Sequence, residues 1–189
     1  MELFLIRHGE TDYNRNKRYC GSSNAELNAE GILQVNRLKD RVSIEPDVVF
    51  FSGTLRTRQT ARILFPDREL IAANALRELN FGLWEGLTYD EIMYRDAESY
   101  DKWINDPLNC APPGGETLLE LRSRAAVFIE KIFRQHEHKS VACVSHGGAI
   151  KVMTCMLLNK PLNDFWSGIV GNASVSCFVR SNGKIISRC

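Results

Sequence analysis

Apolar residues follow two different rhythms along this chain. Unbroken runs at Leu3-Phe4-Leu5-Ile6, Val48-Val49-Phe50-Phe51 and Val141-Ala142-Cys143-Val144 have the length of strands buried on both faces. Between them the spacing changes to three and four. Ile32, Val35, Leu38 and Val42 follow a capping Asn28 and precede Pro46; Leu118, Leu121, Ala125, Phe128, Ile129, Ile132 and Phe133 mark a long helix from Glu116. A helix beginning near Leu55, a short strand over Glu69 to Ala72, a short helix from Thr88 through Ile92 and Met93, and a helix from Gly148 to about Leu158 complete the alternation. Ala173 to Arg180 and Lys184 to Ser187, joined through Ser181-Asn182-Gly183, predict an edge hairpin. Asp12 to Gly21 is polar and basic and predicts a loop. The pattern is that of an α/β domain with a mostly parallel sheet.

Two of the strands end alike. The first runs into Arg7-His8-Gly9 and the Val141 strand into Ser145-His146-Gly147-Gly148. In open α/β sheets ligands gather outside the carboxyl ends of strands, so two imidazoles delivered there define a site. Arg56, in the first turn after the second strand, points to the same edge, and Glu78 follows the short Glu69 to Ala72 run. Guanidiniums present planar forks that match phosphate oxygens, and histidine is a nucleophile near neutral pH. Two imidazoles, two guanidiniums and a carboxylate suit phosphoryl transfer, in which positioning and charge stabilisation are the main catalytic tasks. With such fixed cations no metal or other cofactor is expected.

Composition narrows the picture. The 189 residues are 44% hydrophobic and suffice for one domain, 1–189, with no second unit, and 24 Lys and Arg against 23 Asp and Glu leave no global field for nucleic acid or an anionic membrane. No apolar run approaches the roughly 20 residues of a membrane span, and the chain opens directly into a strand, which predicts a cytoplasmic protein. Six scattered cysteines without C-x-x-C predict reduced thiols. His136 and His138 lie in a charged segment that predicts a solvated helix end, and Arg58 and Arg62 read as surface charges. The aromatic loop Leu83-Trp84-Glu85-Gly86 and the Pro-rich stretch from Tyr94 to Gly115 predict a loosely helical substrate lid around 82–115.

Taken in order, Arg7-His8-Gly9-Glu10-Thr11, the Ser52 to Ala61 segment, Glu78, Pro113-Gly114-Gly115-Glu116-Thr117 and Ser145-His146-Gly147-Gly148 resemble the histidine phosphatase superfamily, the phosphoglycerate-mutase-like proteins, over nearly the whole chain. The resemblance implies a three-layer sandwich with helices on both faces of the sheet. It implies His8 as the nucleophile that becomes phosphohistidine, Arg7, Arg56 and His146 as holders of phosphoryl oxygens, and Glu78 as proton donor to the leaving alcohol. Asn14 and Gly21 match positions that line the phosphate pocket, with Cys20 placed beside them, and the Gly147 amide is expected to add a backbone donor at the start of its helix. Cys20 stands where many relatives have a hydroxyl or amide residue, and Asn24 where an acidic residue is common. The Leu76 to Ile92 loop resembles the small phosphatase branch, above all alpha-ribazole phosphatases of cobalamin synthesis. Fructose-2,6-bisphosphatases share a related loop, and phosphoglycerate mutases carry extra chain that this sequence lacks. The resemblance therefore implies a monomeric or homodimeric phosphomonoesterase acting on a small phosphorylated metabolite, with alpha-ribazole 5'-phosphate the expected substrate and a broad-specificity or sugar-phosphate (fructose-2,6-bisphosphatase-like) phosphatase, a phosphoglycerate mutase and an idle phosphate-binding module as the alternatives.

Overall fold

In the computed structural model, which describes residues 1–162, 165, 168–181 and 184–188, six strands form one sheet. They are β1 (Glu2–Arg7), β2 (Val48–Phe51), β3 (Leu70–Ala72), β4 (Ser140–Ser145), β5 (Val175–Ser181) and β6 (Lys184–Ser187), in the order β3-β2-β4-β1-β5-β6. The first four of that order run parallel, and β5 and β6 add an antiparallel edge. The helices are α1 (Asp12–Arg15), α2 (Ala29–Arg41), α3 (Leu55–Leu64), α4 (Tyr89–Asn105), α5 (Leu118–Gln135) and α6 (Gly147–Leu157).

Alternation along the strands divides the core into two layers. Leu3, Leu5, Val141 and Cys143 face a cluster with Leu121, Phe128 and Ile132 of α5 and Ile150 and Met153 of α6. Ile6, Ala142 and Val144 face the other cluster, with Val35 and Leu38 of α2 and Ala61 and Leu64 of α3. Helices thus cover both faces, as the apolar patterning requires of strands without a polar side. No helix among the described residues is long and apolar enough to cross a membrane.

Three departures from the sequence reading have physical causes. The helix predicted to stop near Met93 continues as α4 to Asn105, with a kink at Asp96 (φ −156°, ψ 49°) where the polar stretch Arg95 to Ser99 interrupts the apolar spacing. Its Ile92 and Trp103 are buried in the main core, beside Trp84. Asp12–Arg15 is a helical turn, because Thr11 and Asn14 cap each other: Asn14 N–H donates to Thr11 Oγ1 (3.3 Å) and Thr11 N–H to Asn14 Oδ1 (3.1 Å). Ala173 is outside β5; its φ of 46° is incompatible with a strand, and its N–H instead donates to the His8 carbonyl at 3.1 Å. The Asn182-Gly183 turn of the expected hairpin lies outside the described residues.

Candidate active site

The parallel pairing of β1 with β4 sets Arg7 opposite Ser145, so the next residue of each strand is a histidine. His8 and His146 leave the sheet side by side, both buried, with ring centroids 5.1 Å apart and planes at 66°. Each ring is held in one tautomer by its partners. His8 Nδ1–H donates to the Gly9 carbonyl (2.7 Å), and because a carbonyl only accepts, the Nε2 lone pair is left unprotonated. For His146 the order is reversed: Arg56 Nε donates to Nδ1 (3.2 Å), so Nε2–H donates to Ser52 Oγ (2.8 Å). The Ser52 hydroxyl in turn sits 3.0 Å from that of Thr54 and 2.9 Å from that of Thr57, a buried hydroxyl triangle beneath the ring. Burial, with Arg56 and Arg7 nearby, pushes both imidazoles well below the ordinary value of 6.5.

Arg56 is fully buried and its charge has no carboxylate partner among the described residues. Besides His146 it donates to the carbonyls of Ser23 (2.6 Å), Gly21 (2.9 Å) and Cys20 (3.3 Å), which binds the 20–23 loop to the second imidazole. That loop is gripped from its other side by Glu85, whose carboxylate accepts the N–H groups of Gly21 (2.9 Å), Ser22 (2.8 Å) and Ser23 (3.2 Å). Gly21 passes so close to the next loop that a Cβ would lie 2.0 Å from the Leu79 carbonyl oxygen. Cys20 reaches the site through its backbone, while its thiol turns to the Ser23 carbonyl at 3.9 Å and is pushed up by burial.

Arg7 donates through Nη1 to the Val170 carbonyl, whereas its Nε is buried with no hydrogen-bond partner among the described residues. A buried charged donor without an acceptor is costly, and an anion at the strand end would satisfy it. Asn14 is also oriented. Its Oδ1 receives Thr11 N–H, the Thr11 hydroxyl (3.0 Å) and Asn172 Nδ2 (3.3 Å), which leaves its own Nδ2 as a donor. Asn172 bridges Asn14 to the His8 carbonyl (3.2 Å).

Glu78 lies across the first turn of α6. Its Oε1 accepts from Leu79 N–H and Ala149 N–H, both 2.9 Å, and its Oε2 from Gly148 N–H at 2.9 Å. A carboxylate has about four acceptor positions, so Oε2 keeps one open, where a transferable proton can sit. The backbone beneath is braced by the Arg124–Glu116 pair (2.7 Å), since Arg124 also donates to the carbonyls of Ala75, Arg77 and Glu78. Gly147, the first residue of α6, packs against Arg7: a Cβ built there lies 3.4 Å from Nε.

A cavity of about 310 Å³ opens beside this constellation. Arg7, Glu78 and Gly148 line it together with the aromatic side chains of Tyr19, Phe81, Tyr100 and Trp103. Tyr19 and Tyr100 join their hydroxyls at 3.1 Å. The five principal residues read from the sequence therefore converge. Ser52 and Glu116 lay inside motifs quoted there without a role; Glu85, Arg124 and Asn172 carried no signal beyond their neighbourhood. Among the described residues no three His, Cys, Asp or Glu side chains group as a metal site.

The sequence model described as Histidine phosphatase superfamily (branch 1) matches residues 3–188. Phosphoserine phosphatase 1 of Hydrogenobacter thermophilus is 32% identical over 179 residues, covering 93% of this chain and 85% of the relative. The adenosylcobalamin/alpha-ribazole phosphatase of Escherichia coli is 32% identical over 169 residues, covering 88% and 83%. The crystal structure of the alpha-ribazole phosphatase from Shigella flexneri superposes with a TM-score of 0.92 at 30% identity, covering all of this chain and 95% of the other.

Proposed function

For a chain that belongs to the histidine phosphatase superfamily and is a phosphoric monoester hydrolase, we propose that His8 is the nucleophile and alpha-ribazole 5'-phosphate the substrate. The observation that carries the first half is the His8 tautomer: Nδ1–H is tied to Gly9, so the lone pair of Nε2 is available beside two guanidiniums. Nε2 attacks phosphorus, the ester P–O bond breaks, and Glu78 transfers a proton from its open Oε2 position to the departing alkoxide. Water then attacks phosphohistidine, the N–P bond breaks, and the carboxylate of Glu78 takes the water proton. Arg7 Nε and Asn14 Nδ2 supply donors to the phosphoryl oxygens. Arg56 contributes charge and fixes the 20–23 loop, with Cys20 and Gly21, against His146. The Gly147 end of α6 adds the positive end of a helix dipole.

The substrate half rests on the cavity. Its aromatic walls suit a flat, apolar leaving group, and a nucleoside-like alcohol with a methylated bicyclic base is one. Two relatives with alpha-ribazole phosphatase in their names support the same choice. The 82–115 segment, which supplies Tyr100 and Trp103, acts as the lid of this cavity.

Phosphate release should be compared across alpha-ribazole 5'-phosphate, fructose 2,6-bisphosphate, phosphoserine and 3-phosphoglycerate, with rapid quench to trap the phosphoenzyme. The expected result is the highest kcat/KM for the first and an acid-labile, alkali-stable phosphoryl group that is absent in His8→Ala. A phosphoryl group mapped to Ser52 or Ser145, or net transfer without phosphate release, would overturn the assignment.

A further inference from the structure

Pro113-Gly114-Gly115-Glu116-Thr117 lies against the segment that carries Glu78. Glu116 stands just before Thr117, which caps α5 and accepts the N–H of Glu120. Arg124, on the second turn of that helix, reaches back to it with a two-pronged fork, Nε to Oε1 at 2.7 Å and Nη2 to Oε2 at 2.9 Å. The other three guanidinium N–H groups go to the carbonyls of Ala75 (2.8 Å), Arg77 (2.9 Å) and Glu78 (3.0 Å), so all five donors are used. Neighbouring carbonyls are also held from outside the segment. Ser145 Oγ donates to that of Leu76 at 2.7 Å and Glu116 N–H to that of Asn80 at 2.9 Å, while Asn80 N–H returns to Glu116 Oε2 at 3.3 Å. A Cβ at Gly115 would lie 2.5 Å from the Asn80 carbonyl oxygen, so only glycine lets the two loops come this close.

The segment has little structure of its own. After the single turn Asn74–Leu76 it enters no helix or strand until Gly82, yet the carboxylate it carries has to meet the N–H groups of Gly148 and Ala149, each at 2.9 Å. We propose that Arg124, held flat by Glu116, is a positioning residue for the proposed proton donor: it sets the height of the 75–78 backbone over α6 and so aims the Glu78 carboxyl group at the departing oxygen. This rests on the reading of Glu78 as proton donor. Three carbonyls bound to one rigid planar group cannot shift independently, and the bidentate carboxylate fixes the plane of that group. The phosphate donors are secured elsewhere, Arg7 by the Val170 carbonyl, Arg56 by the 20–23 loop and Asn14 by Thr11 and Asn172. Loosening the fork therefore displaces the proton donor and leaves the phosphate donors in place.

Arg124→Met keeps much of the side chain's length and removes all five donors. Phosphoenzyme formation, followed by single-turnover quench, should slow by about a hundred-fold with glycerol 3-phosphate, the loss expected of a catalytic group displaced by about 1 Å. With p-nitrophenyl phosphate, whose leaving group needs no proton, it should slow only a few-fold. Inhibition by vanadate, which mimics the phosphoryl centre, should stay within about two-fold. Glu116→Gln, which keeps the outline of the fork and removes its charge, should show the same dependence on leaving group at about ten-fold, and it decides the question if Arg124→Met does not fold. Arg124→Lys should recover only part of the loss, because an ammonium cannot span Glu116 and three carbonyls at once. Equal slowing of the two esters, or vanadate inhibition lost together with activity, would reduce the fork to a support of the fold and overturn the inference. Glu78→Gln run in parallel keeps the two readings apart: a leaving-group-dependent loss there without one in Arg124→Met removes the positioning role alone, whereas no such dependence in Glu78→Gln removes the proton-donor reading itself.

Discussion

Gly148→Ala tests whether the first turn of α6 places the proton donor. A Cβ at this position would lie 2.6 Å from Glu78 Oε1 and 3.2 Å from its Cδ. Since ordinary contacts begin near 3.4 Å, the carboxyl group must retreat by about 1 Å, which stretches the bonds from Gly148 and Ala149 past hydrogen-bonding range. Misplacing a catalytic group by about 1 Å costs about a hundred-fold, and general acid help is worth about a hundred- to ten-thousand-fold in all. Phosphoenzyme formation from an alkyl phosphate should therefore slow by about a hundred-fold. With p-nitrophenyl phosphate, whose leaving group departs without a proton, the loss should be only a few-fold. The fold itself should hold. Alanine gains up to about 1 kcal/mol over glycine in a helix, against two charge-assisted bonds worth about 1.5–3 kcal/mol each, a net loss of about 2–5 kcal/mol that should lower Tm by about 4–20 °C without unfolding the protein at assay temperature. Single-turnover quench on both substrates is the assay, with Glu78→Gln and the double variant completing a cycle. The two changes should be far from additive, because both act through one carboxylate. Equal slowing of both substrates, or additive losses, would place the effect at the phosphate site and refute the argument.

Ser52→Ala should remove the acceptor of His146 Nε2–H and leave a buried donor unsatisfied. That should lower kcat/KM by about ten-fold for alkyl and aryl phosphates alike, as expected of about 1–3 kcal/mol at a group that does not touch the leaving oxygen; nitrogen NMR of the ring should report the lost tautomer, and a leaving-group-dependent loss would contradict it. Both imidazoles have folded-state values below 6.5, so the unfolded chain binds more protons than the native one in the window beneath that value. Their contribution to stability is complete above about pH 6.5 and is lost as pH falls through the depressed values, so denaturant midpoints should decline on acidification from 6.5. The acid limb of kcat/KM should likewise lie below 6.5; a limb centred above it would mean that His8 is not the neutral nucleophile.

Strands and their carboxyl-end chemistry were legible because periodicity and punctuation agree there. Leu3 to Ile6 and Val141 to Val144 are too apolar for anything but a doubly covered strand, and each stops at a histidine followed by glycine. The α4 helix was only half legible, since Arg95 to Ser99 breaks the period where the helix kinks. Ala173 reads as strand by propensity, and only the carbonyl of His8, more than a hundred and sixty residues away, draws it into a left-handed turn. The tautomers of the two rings were beyond reach altogether, because they depend on Gly9, Arg56 and Ser52 meeting in space.

The place of β1 in the sheet also governs how the protein comes into being. It is made before the other five strands of the sheet, yet both its neighbours, β4 and β5, lie more than 130 residues further along. During synthesis Leu3, Leu5 and Ile6 therefore wait with unpaired edges until residues 140–181 have left the ribosome, at about 5–20 residues per second a delay of about ten seconds or more. Over that interval the nascent chain carries His8 without His146, and the apolar run from Leu3 to Ile6 is open to wrong partners. Catalytic activity is in consequence a late signal. It registers the docking of β1 between β4 and β5, and in refolding it should return with the slowest, most non-local step rather than with the helices.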